Sequence, residues 1–391
     1  MDIKAFSERY GPYAIERRHY YHAHPELPEQ EVETCAQIHR DLVEIGITDI
    51  RPMKNCHGLI ADLHGGQPGR TVALRTDIDA LPVQEATGLA FASRNAHVMH
   101  ACGHDAHISI LLGATKILHA CRDQLHGTVR LIVQPSEELA TGARAMIAEG
   151  ALDGVDAIYG SHVMGSLPAP YFGISPGPLA AGASMFTIRV KGLSAHGSEP
   201  HRGKDAITAA AAIVTNLQQC VSRMNDPQCP LVLTVGTFHG GTRFNIIPNE
   251  VVMEGTARTF ADLADVETLM RRVIEHTAAA LDVEATLEYV KMTPAVIHRD
   301  EELVKIAREA AEKIGGAEYV CPMKSMMGSE DFSFYMEKVP GIFGILGIYD
   351  EKHGHVYSNH HERFDFEEEV IARGAGIMAQ FAVDYLERAS K

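Results

Sequence analysis

Four short apolar runs dominate the first half of the chain: LIADL (59–63), TVALR (71–75), TVRLIVQ (128–134) and AIYGSHV (157–163). Each is too short for a buried helix and rich in the residues that suit a strand covered on both faces. Segments of helical character lie around and between them. VETCAQIHRDLVEIG (32–46) repeats apolar side chains at Val32, Cys35, Ile38, Leu42 and Ile45, while ISILLGATKILHAC (108–121) and ARAMIAEGAL (143–152) read as further helices. Strands that alternate with helices restrict the fold to an α/β domain with a mostly parallel central sheet.

The pattern changes near residue 180. SPGPLAAGAS (175–184) has the Gly/Pro/Ala content of a linker. Beyond it the apolar periodicity predicts a strand at 185–192, a long Ala-rich helix at 204–224, strands at 230–240 and 246–258, a helix at 261–281 and a strand at 283–290. This βαββαβ order is that of a ferredoxin-like α+β unit. From about 296 the α/β pattern resumes with a helix at 301–314, the strand GIFGILGI (341–348) and a closing helix from Glu367. At 391 residues one core is not expected. The expected organisation is a catalytic domain of residues 1–181 and 296–391, interrupted by an inserted domain of residues 182–295.

Polar residues that follow strands in an open α/β sheet are where chemistry collects. TDIDALP offers Asp77 and Asp79, PSEEL offers Glu137 and Glu138, AIYGSHV ends near His162, and YSNHHERF carries His360 and His361. Between them HVMHACGHDAH (97–107) packs four histidines, Cys102 and Asp105 around one glycine. Three readings compete for that stretch: a metal site, a Cys102 nucleophile with a histidine base, or a solvated polar loop. Taken jointly, these residues supply the mixed N, O and S donors that suit Zn²⁺, Mn²⁺, Co²⁺ or Ni²⁺. The net charge of −16 argues against a nucleic-acid partner. No apolar run reaches the length of a membrane span. The opening residues lack a signal-peptide core, which makes a cytoplasmic location the expectation. Seven cysteines without CxxC spacing suggest neither a disulfide framework nor a zinc finger.

Ten motifs occur in an order that resembles one family: RRHYYHAHPELPEQEVET (17–34), RTDIDALPV (75–83), MHACGHDAH (99–107), QPSEE (134–138), GSHV (160–163), GLSAHGSEPHRGKDA (192–206), NIIPNE (245–250), GTART (255–259), GSEDFS (328–333) and HHERF (360–364). The family is the amidohydrolase branch of the carboxypeptidase G/aminoacylase metallopeptidases, with hippurate hydrolases, auxin–amino acid conjugate hydrolases and N-acetyl-amino acid deacetylases among its members. The resemblance implies hydrolysis of the amide bond of a small N-acyl-amino acid by two divalent metal ions per subunit, Zn or Mn first and Co or Ni next. It places metal ligands at Cys102, His104, Glu138, His162 and His360, with Cys102 as a bridging thiolate. Glu137 matches the general base that acts on the metal-bound water. Asp79, Asp105 and His107, with Asp77, resemble supporting groups that orient the ligands. His196 resembles an oxyanion donor that reaches across from the partner subunit of a homodimer built through the inserted domain. Asn245, Arg258 and His201 resemble binders of the substrate carboxylate; His97 and His100 receive no role. The chain departs from the family at Ser136, where alanine is commoner, and at Met164, where an aromatic is commoner. The alternatives are a metallo-dipeptidase or carboxypeptidase acting on short peptides, a Cys102-nucleophile hydrolase, and a ligand-binding relative without turnover.

Overall fold

The apolar runs become neighbouring strands of one eight-stranded sheet. In the computed structural model, which describes residues 1–389, the sheet runs in the order Asp49–Pro52, Leu59–His64, His126–Gln134, Gln67–Asp77, Ala157–Pro168, Gly341–Tyr349, Phe172–Gly173, Val320–Cys321. The four central strands, from His126–Gln134 to Gly341–Tyr349, pair in parallel. Antiparallel pairing is confined to the flanks. Gly341–Tyr349 is buried at every residue but its last, as a strand covered on both faces requires.

Helices Ile3–Ala23, His104–Ala120 and Glu369–Ala389 pack against one another, and the last two pack onto this sheet. A Cβ on Gly113 would lie 2.9 Å from that of Ala375 and 3.0 Å from that of Ala14, so the three backbones approach closely there. The sheet and these helices belong to a compact unit of residues 1–177, 297–324 and 331–391.

Residues 178–296, with 325–330, form a second unit. It contains an antiparallel sheet in the order Leu231–Gly240, Glu250–Thr259, Gly182–Lys191, Glu284–Thr293. Helices Ala206–Gln219 and Leu263–Ala280 share a core with Phe186, Ile188, Val190, Val251 and Met253 of that sheet. The βαββαβ order and the strand order are those of a ferredoxin-like unit.

Local expectations need three corrections. SPGPLAAGAS spans the boundary between the two units, as a linker does, but it is ordered: it forms the strand Gly177–Ala180 and opens the strand Gly182–Lys191, with Ala181, Gly182 and Ala183 all buried. Small residues mimicked a flexible link, whereas here they permit close packing. The helix expected from 108 starts at His104, because Gly103 takes the left-handed conformation that turns the chain into it (φ +95°). The strand at 157–163 continues through His162 to Pro168.

Candidate metal centre

Four segments converge beyond the carboxyl ends of the parallel strands. Cys102 Sγ lies 3.3 Å from His162 Nε2 and 3.3 Å from His360 Nε2. Two donor triads share this sulfur: Cys102, His104 and His162 in one, Cys102, Glu138 and His360 in the other, the donor atoms of each within 4.8 Å of one another. Glu137 forms a further group with His104 and Glu138. Gly103 is obligatory between Cys102 and His104, since its φ is left-handed and a Cβ would sit 2.4 Å from Val163 Cγ2.

Each histidine's tautomer follows from its partners. His104 Nδ1 lies 2.8 Å from the Asp79 carbonyl oxygen, which only accepts, so Nδ1 carries the proton and Nε2 offers its lone pair. His162 likewise donates from Nδ1 to Val163 O at 2.6 Å. His107 is different. Its Nδ1 pairs with Asp77 Oδ1 at 2.6 Å, and its Nε2 accepts the Val163 N–H at 3.0 Å. Both ring nitrogens are engaged, which leaves no lone pair for a cation. His107 instead holds the strand beside His162. Asp79 joins two donors, taking His104 Nδ1 on Oδ1 (3.2 Å) and the Glu138 N–H on Oδ2 (3.0 Å).

The centre of the cluster is chemically incomplete. His104 Nε2 and Glu138 Oε1 are buried and make no hydrogen bond. Leaving both unsatisfied is costly, and a divalent cation on these donors removes the cost. Burial pushes the Cys102 thiol well up; His104 offsets part of this and the Glu138 and Glu137 carboxylates add to it. A thiolate at Cys102 therefore calls for positive charge beside it. The S, N and O donors fit that requirement.

Around these donors lies a layer of buried polar contacts that sequence reading missed in part. Asn359 donates from Nδ2 to the carbonyls of Cys102 and Val163, both at 3.0 Å, and accepts the Gly165 N–H at 3.0 Å. Arg75 binds Asp77 at 2.6 Å and Asp331 at 2.9 Å. Asp331 also takes Gln134 Nε2 and the Ala143 N–H, and its own N–H points at Glu137 Oε1, 3.4 Å away. Asp105 contacts His22 Nδ1 at 2.8 Å and Arg18 Nε at 3.2 Å, and Arg18 also pairs with Asp365 and Glu368. Burial opposes charge on Asp105, yet His22 and Arg18 hold its carboxyl well below the usual range. Burial opposes charge on His22 as well and by itself lowers its pKa, but the Asp105 and Glu85 carboxylates outweigh it and raise the pKa to about 9. Arg18 and His22 fall inside the 17–34 motif, and Asp331 inside GSEDFS, so these motifs were visible though their contacts were not. For Asn359 the only cue was its place beside His360. His100 is buried with neither ring nitrogen bonded, and burial lowers its pKa to about 4.

Backbone strain gathers in the same loops. The described non-glycine residues with positive φ are Glu29, His97, Ser136, Ala140, Asp282 and His360. All but Asp282 lie in motifs or loops that carry the donors or adjoin them. Each such residue costs about 1–3 kcal/mol and persists only where its surroundings enforce it.

The second unit holds the remaining candidates. His196 and Asn245 are brought together: Ala195–His196 pairs with Ile246–Ile247, and Gly197 N–H donates to Asn245 O at 2.9 Å. Ser198 N–H donates to His196 Nδ1 at 3.2 Å, so the neutral ring carries its proton on the outward Nε2. Phe244, beside Asn245, is 94% exposed. His201 is exposed in the short turn Pro200–Arg202. Arg258, in the strand Glu250–Thr259, donates to Ala257 O and Thr256 Oγ1, and burial lowers its pKa.

Comparison with known proteins follows the same lines. The model of peptidase family M20/M25/M40 matches residues 73–384. An N-acetylcysteine deacetylase of Bacillus subtilis (strain 168) is 39% identical over 391 residues, with 99% of each chain covered. An Arabidopsis thaliana protein, IAA-amino acid hydrolase ILR1-like 2, is 39% identical over 383 residues, covering 96% of this chain and 86% of its own. The crystal structure of the Bacillus subtilis YXEP protein, described as a dinuclear metal binding peptidase from the M20 family, superposes with a TM-score of 0.86 at 37% identity, with 97% of this chain and 99% of that one covered.

Proposed function

We propose that this chain, which belongs to peptidase family M20/M25/M40 and is a metal-dependent amidohydrolase, hydrolyses the amide bond of N-acyl-amino acids. The observation that carries the reading is the pair of donor triads sharing Cys102 Sγ, with the Glu137 carboxyl beside them. The names of the deacetylase and of the auxin-conjugate hydrolase support the substrate class. Cys102, His104 and His162 would hold one cation, and Cys102, Glu138 and His360 the other. When bound, such cations supply Lewis-acid polarisation of the scissile carbonyl and ease the ionisation of water.

The chain's own residues do the rest. Glu137 takes the proton of the attacking water on its carboxylate and returns it to the departing amine nitrogen, a transfer worth about 10²–10⁴ in rate. The Asp331 N–H, 3.4 Å from Glu137 Oε1, helps to orient that carboxylate. His196 donates from Nε2 to the developing oxyanion, and we assign it to the site of a second copy of the chain in a homodimer. Asn245 and Arg258, with His201, receive the free carboxylate of the substrate. Asp79, Asp105 and His107 keep the ligands aimed.

Elemental analysis of the purified protein, paired with a panel of N-acetyl, N-benzoyl, indole-acetyl and dipeptide substrates, tests this reading. It expects about two cations per chain, hydrolysis that a chelator abolishes, and recovery on adding Zn²⁺ or Mn²⁺. Preferential cleavage of the dipeptides would move the substrate class to short peptides. Undiminished hydrolysis by metal-free protein would return Cys102 to the role of nucleophile.

A further inference from the structure

The motif HPELPEQE (24–31) contributes no donor to the cluster, yet it touches both the loop of the supporting Asp79 and the loop of Glu137 and Glu138. Glu26 O accepts the Ala80 N–H at 2.8 Å, next to Asp79. The Glu26 carboxylate receives the N–H groups of Glu33 and Thr34 and so starts the helix Val32–Ile45. Its most specific contact is with Ser136. That residue stands between Pro135 and Glu137, is 3% exposed, and has φ +51°.

The Ser136 carbonyl accepts the Thr141 and Gly142 N–H groups at 3.3 and 3.2 Å, and three more hydrogen bonds tie Ser136 to residues 29–31, with directions that are determined. Its backbone N–H donates to Glu31 Oε1 at 2.8 Å. The Glu29 N–H donates to Ser136 Oγ at 2.8 Å, so the hydroxyl proton is free to donate to Glu31 Oε1, 3.3 Å away. Glu31 is wholly buried, and its Oε2 has no partner. A buried carboxyl that spends one oxygen on the backbone of a left-handed serine is costly to keep for packing alone. A left-handed turn at 136 is also what lets the two consecutive glutamates after it serve different ends, one as ligand and one as base.

We propose that Glu31 is the positioning residue of the Glu137–Glu138 turn, holding Ser136 in its left-handed conformation through the buried carboxylate. The proposal rests on the reading of Glu137 as base and Glu138 as ligand. It also gives the departure at Ser136 a use: the hydroxyl joins Glu29 to Glu31, a link that alanine cannot make.

The test uses the metal-loaded holoenzyme and four variants: Glu31→Ala, Glu31→Gln, Ser136→Gly and the double variant Glu31→Ala/Ser136→Gly. Glu31→Ala is expected to lower kcat about a hundredfold with little change in KM, and to weaken one of the two phases of a Zn²⁺ titration followed by calorimetry, on the order of the effect of losing an outer support to a ligand. Glu31→Gln, which keeps an acceptor oxygen, should lose only a few-fold. Ser136→Gly should stay near wild type, because glycine adopts positive φ unaided. The double variant should then recover roughly tenfold or more over Glu31→Ala in both readouts. A folded double variant no better than Glu31→Ala, or Glu31→Ala indistinguishable from wild type, would overturn the proposal. Where Glu31→Ala proves insoluble, Glu31→Gln against Glu31→Gln/Ser136→Gly makes the same comparison. The Zn²⁺ titration reads the turn through Glu138 without reference to turnover. Failure of the proposed activity would show instead as wild-type protein without chelator-sensitive hydrolysis.

Discussion

The donor cluster and the two-stranded ribbon that carries His196 are built on opposite plans. In the cluster, His104 is pinned by Asp79, His162 by the Val163 carbonyl, and the His360 backbone by Ala101 O at 2.7 Å. In the ribbon, the two-residue strand Ala195–His196 pairs with Ile246–Ile247, just after Asn245; His196 is exposed, and Phe244 stands almost free of the protein. The roles proposed for the two regions account for the difference. Charged ligands crowded together repel one another and lose hydration, so they need partners before any cation arrives. A donor for a transient oxyanion has to meet its target, so its working nitrogen is left open.

The contrast can be broken by experiment, and the largest effect belongs to the group between the two plans. Glu137→Gln should lower kcat by about 10³–10⁴ while cation content stays at the wild-type level; loss of cations with activity would make Glu137 a ligand instead of a base. Replacing His196 with Ala should cost about 10²–10³ in kcat with metal loading unchanged. Mixed dimers of the His196 and Glu137 variants should regain part of the activity if the histidine works in trans, and no regain would confine it to its own chain. The smallest effect is expected at Asn359. Asn359→Ala keeps every ligand but frees two carbonyls and one N–H, and should weaken cation binding about 10–100-fold by calorimetry. An unchanged affinity there would mean that the cluster is rigid without its outer contacts.

The sheet was legible because its strands are continuous apolar runs, and the donor motifs because they sit where those runs end. The start of the His104 helix was hidden, since HDAH is polar where a helix buried on all sides was expected to be apolar. Its burial is made possible by Asp105 pairing with His22 and Arg18, residues more than eighty positions away. The same distance hid Asp331 and Asn359. Asp331 stands in the visible motif GSEDFS and Asn359 beside His360, but the side chains and backbone groups that each holds are brought to it only by the fold. Ser136 was visible as a departure from the family, but its left-handed conformation was not, because an isolated serine gives no sign of positive φ.

The spacing of the donors has a consequence for how the protein is made. Cys102 and His162 are 60 residues apart, whereas Cys102 and His360 are 258 apart. On a ribosome adding about 5–20 residues per second, the second triad is completed roughly ten seconds or more after the first has been synthesised. The strand Gly341–Tyr349, which pairs with the strand carrying His162, arrives in that same late interval. The donors of the first triad are therefore all synthesised while the cluster still waits for a histidine not yet translated.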